Sequence, residues 1–300
     1  MKPFEILNAA RQSTKGKAGS ISNLSYLDMP DNAERLTAVW MYPDVLTLEG
    51  GRGDLMAMFN IASLLGLPFE IVKCRSLTDR VPMSDTGMIF FPPGDLAAMA
   101  DICAALMPQR SRLESFAKKG GHIIAIGGSG SILAKSTRLA DGTVFEGLGL
   151  LDMTLTERDE IFGDDLWLTV RGSKREMIAT QIQRCDVALA KDQAPFADVR
   201  YGRGNDGGKL EGARTQNVIF THALGPALVR TPLVCADLLL DAAKRMGITP
   251  AKTELASEDI AFENEALDDL RTFIKKKIAG EIVPQDYSRR LNKPMFITHY

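Results

Sequence analysis

The chain changes character at residue 36. Before it, residues 1–35 are weakly patterned, and the Ser-, Gly- and Lys-rich stretch 12–22 holds few large apolar side chains. This part reads as an extension outside the main core, with a short helix over residues 4–11. From Leu36 onward apolar runs alternate with amphipathic stretches. Residues 38–41 (AVWM) are a short apolar run ended by Tyr42-Pro43-Asp44, which predicts a buried strand and then a loop. Leu55, Met58, Phe59, Ala62 and Leu65 fall at helical spacing, with Asp54 as start signal and Gly66 as stop. Residues 69–74 and 87–91 predict two more strands. Residues 95–107, closed by Pro108, and 109–119, closed by Gly120-Gly121, predict two helices. Residues 122–126 (HIIAI) predict a strand that is apolar after its first residue.

Strands alternating with helices of ten or more residues imply βαβ units and a parallel sheet. Ligands of such sheets bind beyond the carboxyl ends of the strands. Residues 42–53, 92–95 and 127–131 fall there. The middle of the chain differs: residues 165–171, 177–183 and 186–190 are short and partly alternating, predicting a small antiparallel β insertion. Residues 202–208 (GRGNDGG) read as a loop and 217–221 as a further apolar strand. Thr231 as N-cap and Pro232 at the first position open a helix that Gly247 stops. Residues 258–278 predict one more helix, acidic in its first half and basic in its second, as the helix dipole favours. Leu267, Leu270, Ile274 and Ile278 form its apolar stripe, suited to packing on the domain or to holding a partner.

Composition narrows the function classes. Among 300 residues, 36 Lys and Arg face 38 Asp and Glu, a net charge of -2 that argues against a general nucleic-acid binder. No run approaches the roughly 18–20 apolar residues of a membrane span, and the polar start lacks a signal-peptide core. A cytoplasmic chain is expected. Cys74, Cys103, Cys185 and Cys235 are far apart in sequence and predict free thiols. Only His122, His222 and His299 are histidines, and no Cys/His spacing suits zinc, so neither metal nor cofactor is expected.

The stretch 120–134 (GGHIIAIGGSGSILA) is a strand, a Gly-rich turn and a helix. Such a turn thrusts a nucleophile above a sheet beside backbone amides that also attract anions. Together with YPDVL at 42–46, GRGD at 51–54, EGLGLLD at 146–152, and Gly204, Asn205, Glu211, Gly212, Arg214, Asn217, Gly225 and Pro226, it resembles the class I glutamine amidotransferases of the cobyric acid synthase type. Within them the resemblance is to the glutaminase subunits of lipid II isoglutaminyl synthases, and it spans residues 36–247. It implies a three-layer α/β/α sandwich over 36–247, with 1–35 and 248–300 as an N-terminal and a C-terminal helical extension. It also implies a Mur-ligase-like, ATP-dependent ligase subunit as partner.

The same resemblance places the family's nucleophilic Cys on Gly127 and its catalytic His on Leu224. Its oxyanion loop falls on Phe91-Pro92-Pro93-Gly94-Asp95, where prolines have no N–H to donate. Hydrolysis of glutamine needs a thiolate and a base. The expectation is therefore a degenerate subunit without glutaminase activity. Two alternatives remain open. Ser129 and His222 could carry relocated hydrolytic chemistry, against a helix-capping serine and a merely satisfied histidine. Or the old site, with Gly127, Gly128, Ser129, Gly94, Asp95 and Arg52, could bind a small anion or carboxylate. Cys103 and Cys235 read as buried and inert, and Cys185 as a thiol with no evident base.

Overall fold

The computed structural model describes residues 23–25, by backbone alone, and 34–282. The expected helix at 4–11 and His299 lie outside the described residues. A seven-stranded sheet runs in the order β1 (Asn23–Ser25), β3 (Phe69–Cys74), β2 (Leu36–Met41), β4 (Thr86–Phe91), β5 (His122–Ile126), β13 (Val218–Thr221) and β12 (Ala213–Thr215). The five from β3 to β13 are parallel, and β1 and β12 are antiparallel edges.

The continuous apolar runs follow from burial on both faces. Leu36, Ala38 and Trp40 of β2, Met88 and Phe90 of β4, and Ile124 and Ile126 of β5 face one apolar cluster. Val39 and Met41, Ile89 and Phe91, and Ile123 and Ala125 face the other. The first cluster is closed by α1 (Gly51–Leu64) and α6 (Pro232–Met246). The second is closed by α2 (Met99–Leu106), α3 (Arg110–Lys118) and the short α4 (Gly130–Leu133). The result is the expected three-layer sandwich.

The elements match the local signals in kind and differ from them in detail. α1 begins at Gly51, so Asp54 lies inside its first turn instead of opening it. The 95–107 segment starts as a tight turn over Leu96–Ala98, capped where the Asp95 carboxylate accepts the Ala97 N–H at 3.0 Å. Thr231 stands at the N-cap of α6, but its hydroxyl donates to the Ala227 carbonyl at 2.7 Å and caps nothing. That carbonyl belongs to α5 (Ala227–Arg230), so the hydroxyl closes the preceding turn.

The middle region is larger than the sequence suggested. Segments 165–171, 177–183 and 186–190 belong to two long strands, β8 (Met153–Val170) and β9 (Glu176–Leu189), paired as an antiparallel ribbon with a register shift between Glu157 and Phe162. With β6 (Ser136–Arg138), β7 (Val144–Glu146), β10 (Ala197–Tyr201) and β11 (Leu210–Glu211) they form a second, six-stranded sheet.

The C-terminal helix α7 (Ala261–Ile278) packs on this ribbon, with Leu267 and Ile274 against Trp167 and Ile178. Leu270 is half-buried, whereas Ile278, expected in the stripe, is exposed. The basic end is used for tertiary pairing: Lys277 Nζ lies 2.7 Å from Asp164 Oδ1 and 2.6 Å from Asp165 Oδ2. Burial alone would lower the Lys277 ammonium, but these two carboxylates outweigh it and lift it to about 12. Lys277→Ala is expected to cost about 2 kcal/mol at neutral pH. A urea midpoint equal to that of the wild type would contradict this.

Candidate active site

Loops from four parallel strands meet at their carboxyl ends. The order β3-β2-β4 means that the chain leaves β2 to one side and returns to the other, which creates the crevice where open α/β sheets bind ligands. The loop after β4 is tied to the loop after β2 where Leu48 N–H donates to Pro93 O at 3.0 Å. It is tied to the turn after β5 where Ser129 Oγ donates to Pro92 O at 2.5 Å.

The turn after β5 is a nucleophile-type elbow. Ile126 is extended and Gly127 takes φ +58°, a left-handed conformation that costs an ordinary residue of order 1–3 kcal/mol. Gly128 is required by packing, since a Cβ there would lie 2.5 Å from Gly94 O. That approach turns the Gly94 carbonyl toward the elbow, an acceptor where an oxyanion loop would offer donors.

Parallel pairing of β13 with β5 matches Thr221 to Ile126, which sets His222 level with Gly127. A cavity of about 170 Å³ opens here, lined by Gly94 and Asp95, Gly127 and Gly128, Cys185 and His222. It is smaller than the roughly 300–1,000 Å³ of drug-sized pockets, so it suits a ligand of few heavy atoms. Three residues singled out in the sequence do not line it. Ser129 is fully buried with its hydroxyl committed to Pro92, so it is neither a free nucleophile nor a helix cap. Arg52 is exposed on the first turn of α1. Leu224 is 1% exposed in the apolar cluster under α1 and α6, its backbone paired with Thr180.

His222, 3% exposed, is held by Glu211, which is fully buried. The His222 N–H donates to Glu211 Oε1 at 2.6 Å, its Nδ1 lies 3.0 Å from Oε2, and Thr221 Oγ1 donates to Oε1 at 2.8 Å. Burial alone would raise the Glu211 carboxyl. The positive charge His222 carries whenever its ring is protonated, with the hydrogen bonds from His222 and Thr221, outweighs it and holds the carboxyl below its ordinary range. In the sequence Glu211 matches a family position with no role attached. Its partnership with His222 depends on β11 lying against the end of β13.

The four thiols are free and buried. Burial pushes Cys74 up to about 11 and Cys103 and Cys185 to about 12. Cys185, a thiol with no evident base in the sequence, is brought by β9 to the same cavity as His222. The charges that act on it are those of Glu157, Arg184 and Asp186, so it remains an unactivated thiol.

A mostly parallel sheet within two helical layers, a Gly-rich positive-φ elbow after β5, and the ordered motifs from Tyr42 to Pro226 define a class I glutamine amidotransferase-like protein. In sequence the chain is 25% identical over 235 residues to the GatD subunit of lipid II isoglutaminyl synthase (glutamine-hydrolyzing) of Streptococcus pneumoniae, across 76% of this chain and 90% of that protein. The corresponding Staphylococcus aureus subunit is 25% identical over 230 residues, across 74% of this chain and 90% of that protein. Among solved structures, PurLQS from Thermotoga maritima aligns with a TM-score of 0.48 at 14% identity, covering 72% of this chain and 97% of that one. No protein-family model matches the sequence. Among the described residues, no helix is long and apolar enough to cross a membrane.

Proposed function

We propose that the chain is a degenerate glutaminase-like subunit of an amide-forming assembly. In this reading it releases no ammonia from glutamine itself and instead scaffolds or regulates a Mur-ligase-like, ATP-dependent ligase. The product would be an amidated cell-wall precursor, by likeness to the two isoglutaminyl synthase subunits. The observation that carries the reading is Gly127. At the one backbone position shaped to thrust a nucleophile into the cavity, there is no side chain. Position 224, where the family's base falls, holds a leucine packed in the core. Removing a nucleophile–base pair costs several powers of ten in rate, about 10⁶ in a well-studied protease.

The purified chain is therefore expected to release no ammonia from glutamine above the rate of buffer. A Mur-ligase-like protein from the same cell is expected to co-purify with it and to use free ammonia. Glutamine-dependent ammonia release that disappears in Ser129→Ala or His222→Ala would overturn the reading in favour of relocated catalysis.

A further inference from the structure

The elbow position lacks a nucleophile, but a histidine lines its cavity. Glu211 is buried, held in its ionised form, and takes hydrogen bonds from the His222 backbone, the Thr221 hydroxyl and the His222 ring. A carboxylate only accepts, so Nδ1 must carry the proton it shares with Oε2. In the neutral ring this leaves the lone pair on Nε2. Among the described residues no side chain or backbone group hydrogen-bonds to Nε2, and His222 is one of the residues that line the cavity. Phe220 holds the ring edge-on, with centroids 4.9 Å apart. A cavity-lining histidine fixed by a carboxylate on one nitrogen, with no protein partner on the other, is the arrangement of a general base with its orienting group.

We propose that His222, oriented by Glu211, is the proton acceptor of the elbow cavity, and that the cavity takes a small ligand that brings a hydroxyl, thiol or amide proton to Nε2. The inference goes beyond the proposed partnership and does not depend on it. It assigns the base to position 222, level with Gly127, and not to position 224. Glu211 is a positioning residue that acts through the ring. An ionised carboxylate brings no proton and fits less well.

Two measurements test this on the full chain. In the first, wild-type protein is treated with diethyl pyrocarbonate and the modified histidines are located by mass spectrometry. The Nε2 lone pair attacks one carbonyl carbon, the other half leaves as ethyl carbonate, and the acylated ring gives up its Nδ1 proton, which ethyl carbonate takes up as it breaks down to ethanol and carbon dioxide. His222 is expected to be modified and the fully buried His122 spared. Ethanol and acetamide, as proton donors, are expected to protect His222, and acetate is not. Glu211→Gln is expected to slow the reaction about tenfold and to alter its pH–rate profile. In the second, Gly127→Cys is treated with iodoacetamide. The sulfur bonds to the reagent carbon, iodide leaves, and the thiol proton passes to Nε2. Cys185 lines the same cavity, so labelling of the introduced thiol is followed by mass spectrometry at position 127 itself, while Cys74, Cys103 and Cys235 are buried away from it. Adding His222→Gln is expected to slow labelling about tenfold or more. The proposal fails if His222 of the folded wild type stays unmodified while the unfolded chain reacts. It fails equally if the introduced thiol reacts at one rate with and without His222. Should Gly127→Cys not fold, the first measurement decides alone. Neither measurement involves a ligase or glutamine.

Discussion

Asp54→Asn is expected to turn a nearly flat dependence of stability on pH into one that rises between about pH 4 and pH 6.5. Asp54 is 1% exposed, and its Oδ1 accepts the Leu228 N–H at 2.8 Å, which fixes the start of α5 against α1. Burial, only partly offset by that hydrogen bond, raises its carboxyl from 3.8 to about 7. Between those values the folded chain holds a proton that the unfolded chain has released. Stability is therefore greatest below the unfolded pKa and falls by about 4 kcal/mol as the pH rises to about 7.

His122 does the reverse. Burial pushes its ring from 6.5 down to about 4, against the pull of Asp241 at 3.0 Å. Its neutral form contributes stability that is present above pH 6.5 and lost, by about 3 kcal/mol, as the pH falls to about 4. The two slopes oppose each other over the same window. Asparagine keeps the acceptor for Leu228 but cannot ionise, so the variant leaves the His122 slope unopposed. Urea midpoints at about pH 4.5, 6 and 7.5 measure this. Parallel profiles for the two proteins would show that Asp54 does not titrate in this range.

Leu224→His, the change that would rebuild the family's base by sequence, is expected to cost about 3 kcal/mol and to return no chemistry. Position 224 does not line the elbow cavity. Its N–H donates to Thr180 O at 2.8 Å and its carbonyl accepts the Thr180 N–H at 3.1 Å, which fixes the backbone on β9. The side chain is buried in the cluster that also contains Leu166, Ala179 and Leu228. An imidazole there would lose apolar contact and bury two ring nitrogens without partners. Leu224→Met, which conserves volume, is expected to cost under about 1.5 kcal/mol. Combining Leu224→His with Gly127→Cys is expected to give no faster thiol labelling than Gly127→Cys alone. A histidine at 224 that accelerates labelling would show that the chain can re-register its β13 loop to bring that side chain inward.

The parts of the fold that were legible in the sequence are those governed by local periodicity. HIIAI at 122–126 is apolar throughout because both faces of β5 are covered, so its strand was found to the residue. The span of α6 was equally plain from Pro232 at its start and Gly247, with φ +74°, at its end. The ribbon was found only in pieces. Much of β8 between Thr154 and Asp165 is polar or only half-buried, and the register shift after Glu157 breaks the alternation.

What the sequence determined by itself was the succession of strands and helices that builds the sheet, and the Gly-rich turn after β5, since each depends on residue types within a few positions of one another. The nucleophile's place in that turn was set on Gly127 by the family resemblance alone. Only the tertiary structure decided which side chains share the cavity. The two-residue alternation of a strand could not tell position 222 from 224, which differ by one period and so seemed equivalent. Pairing of Leu224 with Thr180 on β9 carried one into the core, while Glu211 on β11 fixed the other at the cavity. Cys185 joins them only because β9 brings it there. Asp54 became a titrating group for the same reason: a carboxylate in the first turn of a helix is ordinary until a second helix, distant in sequence, removes its water.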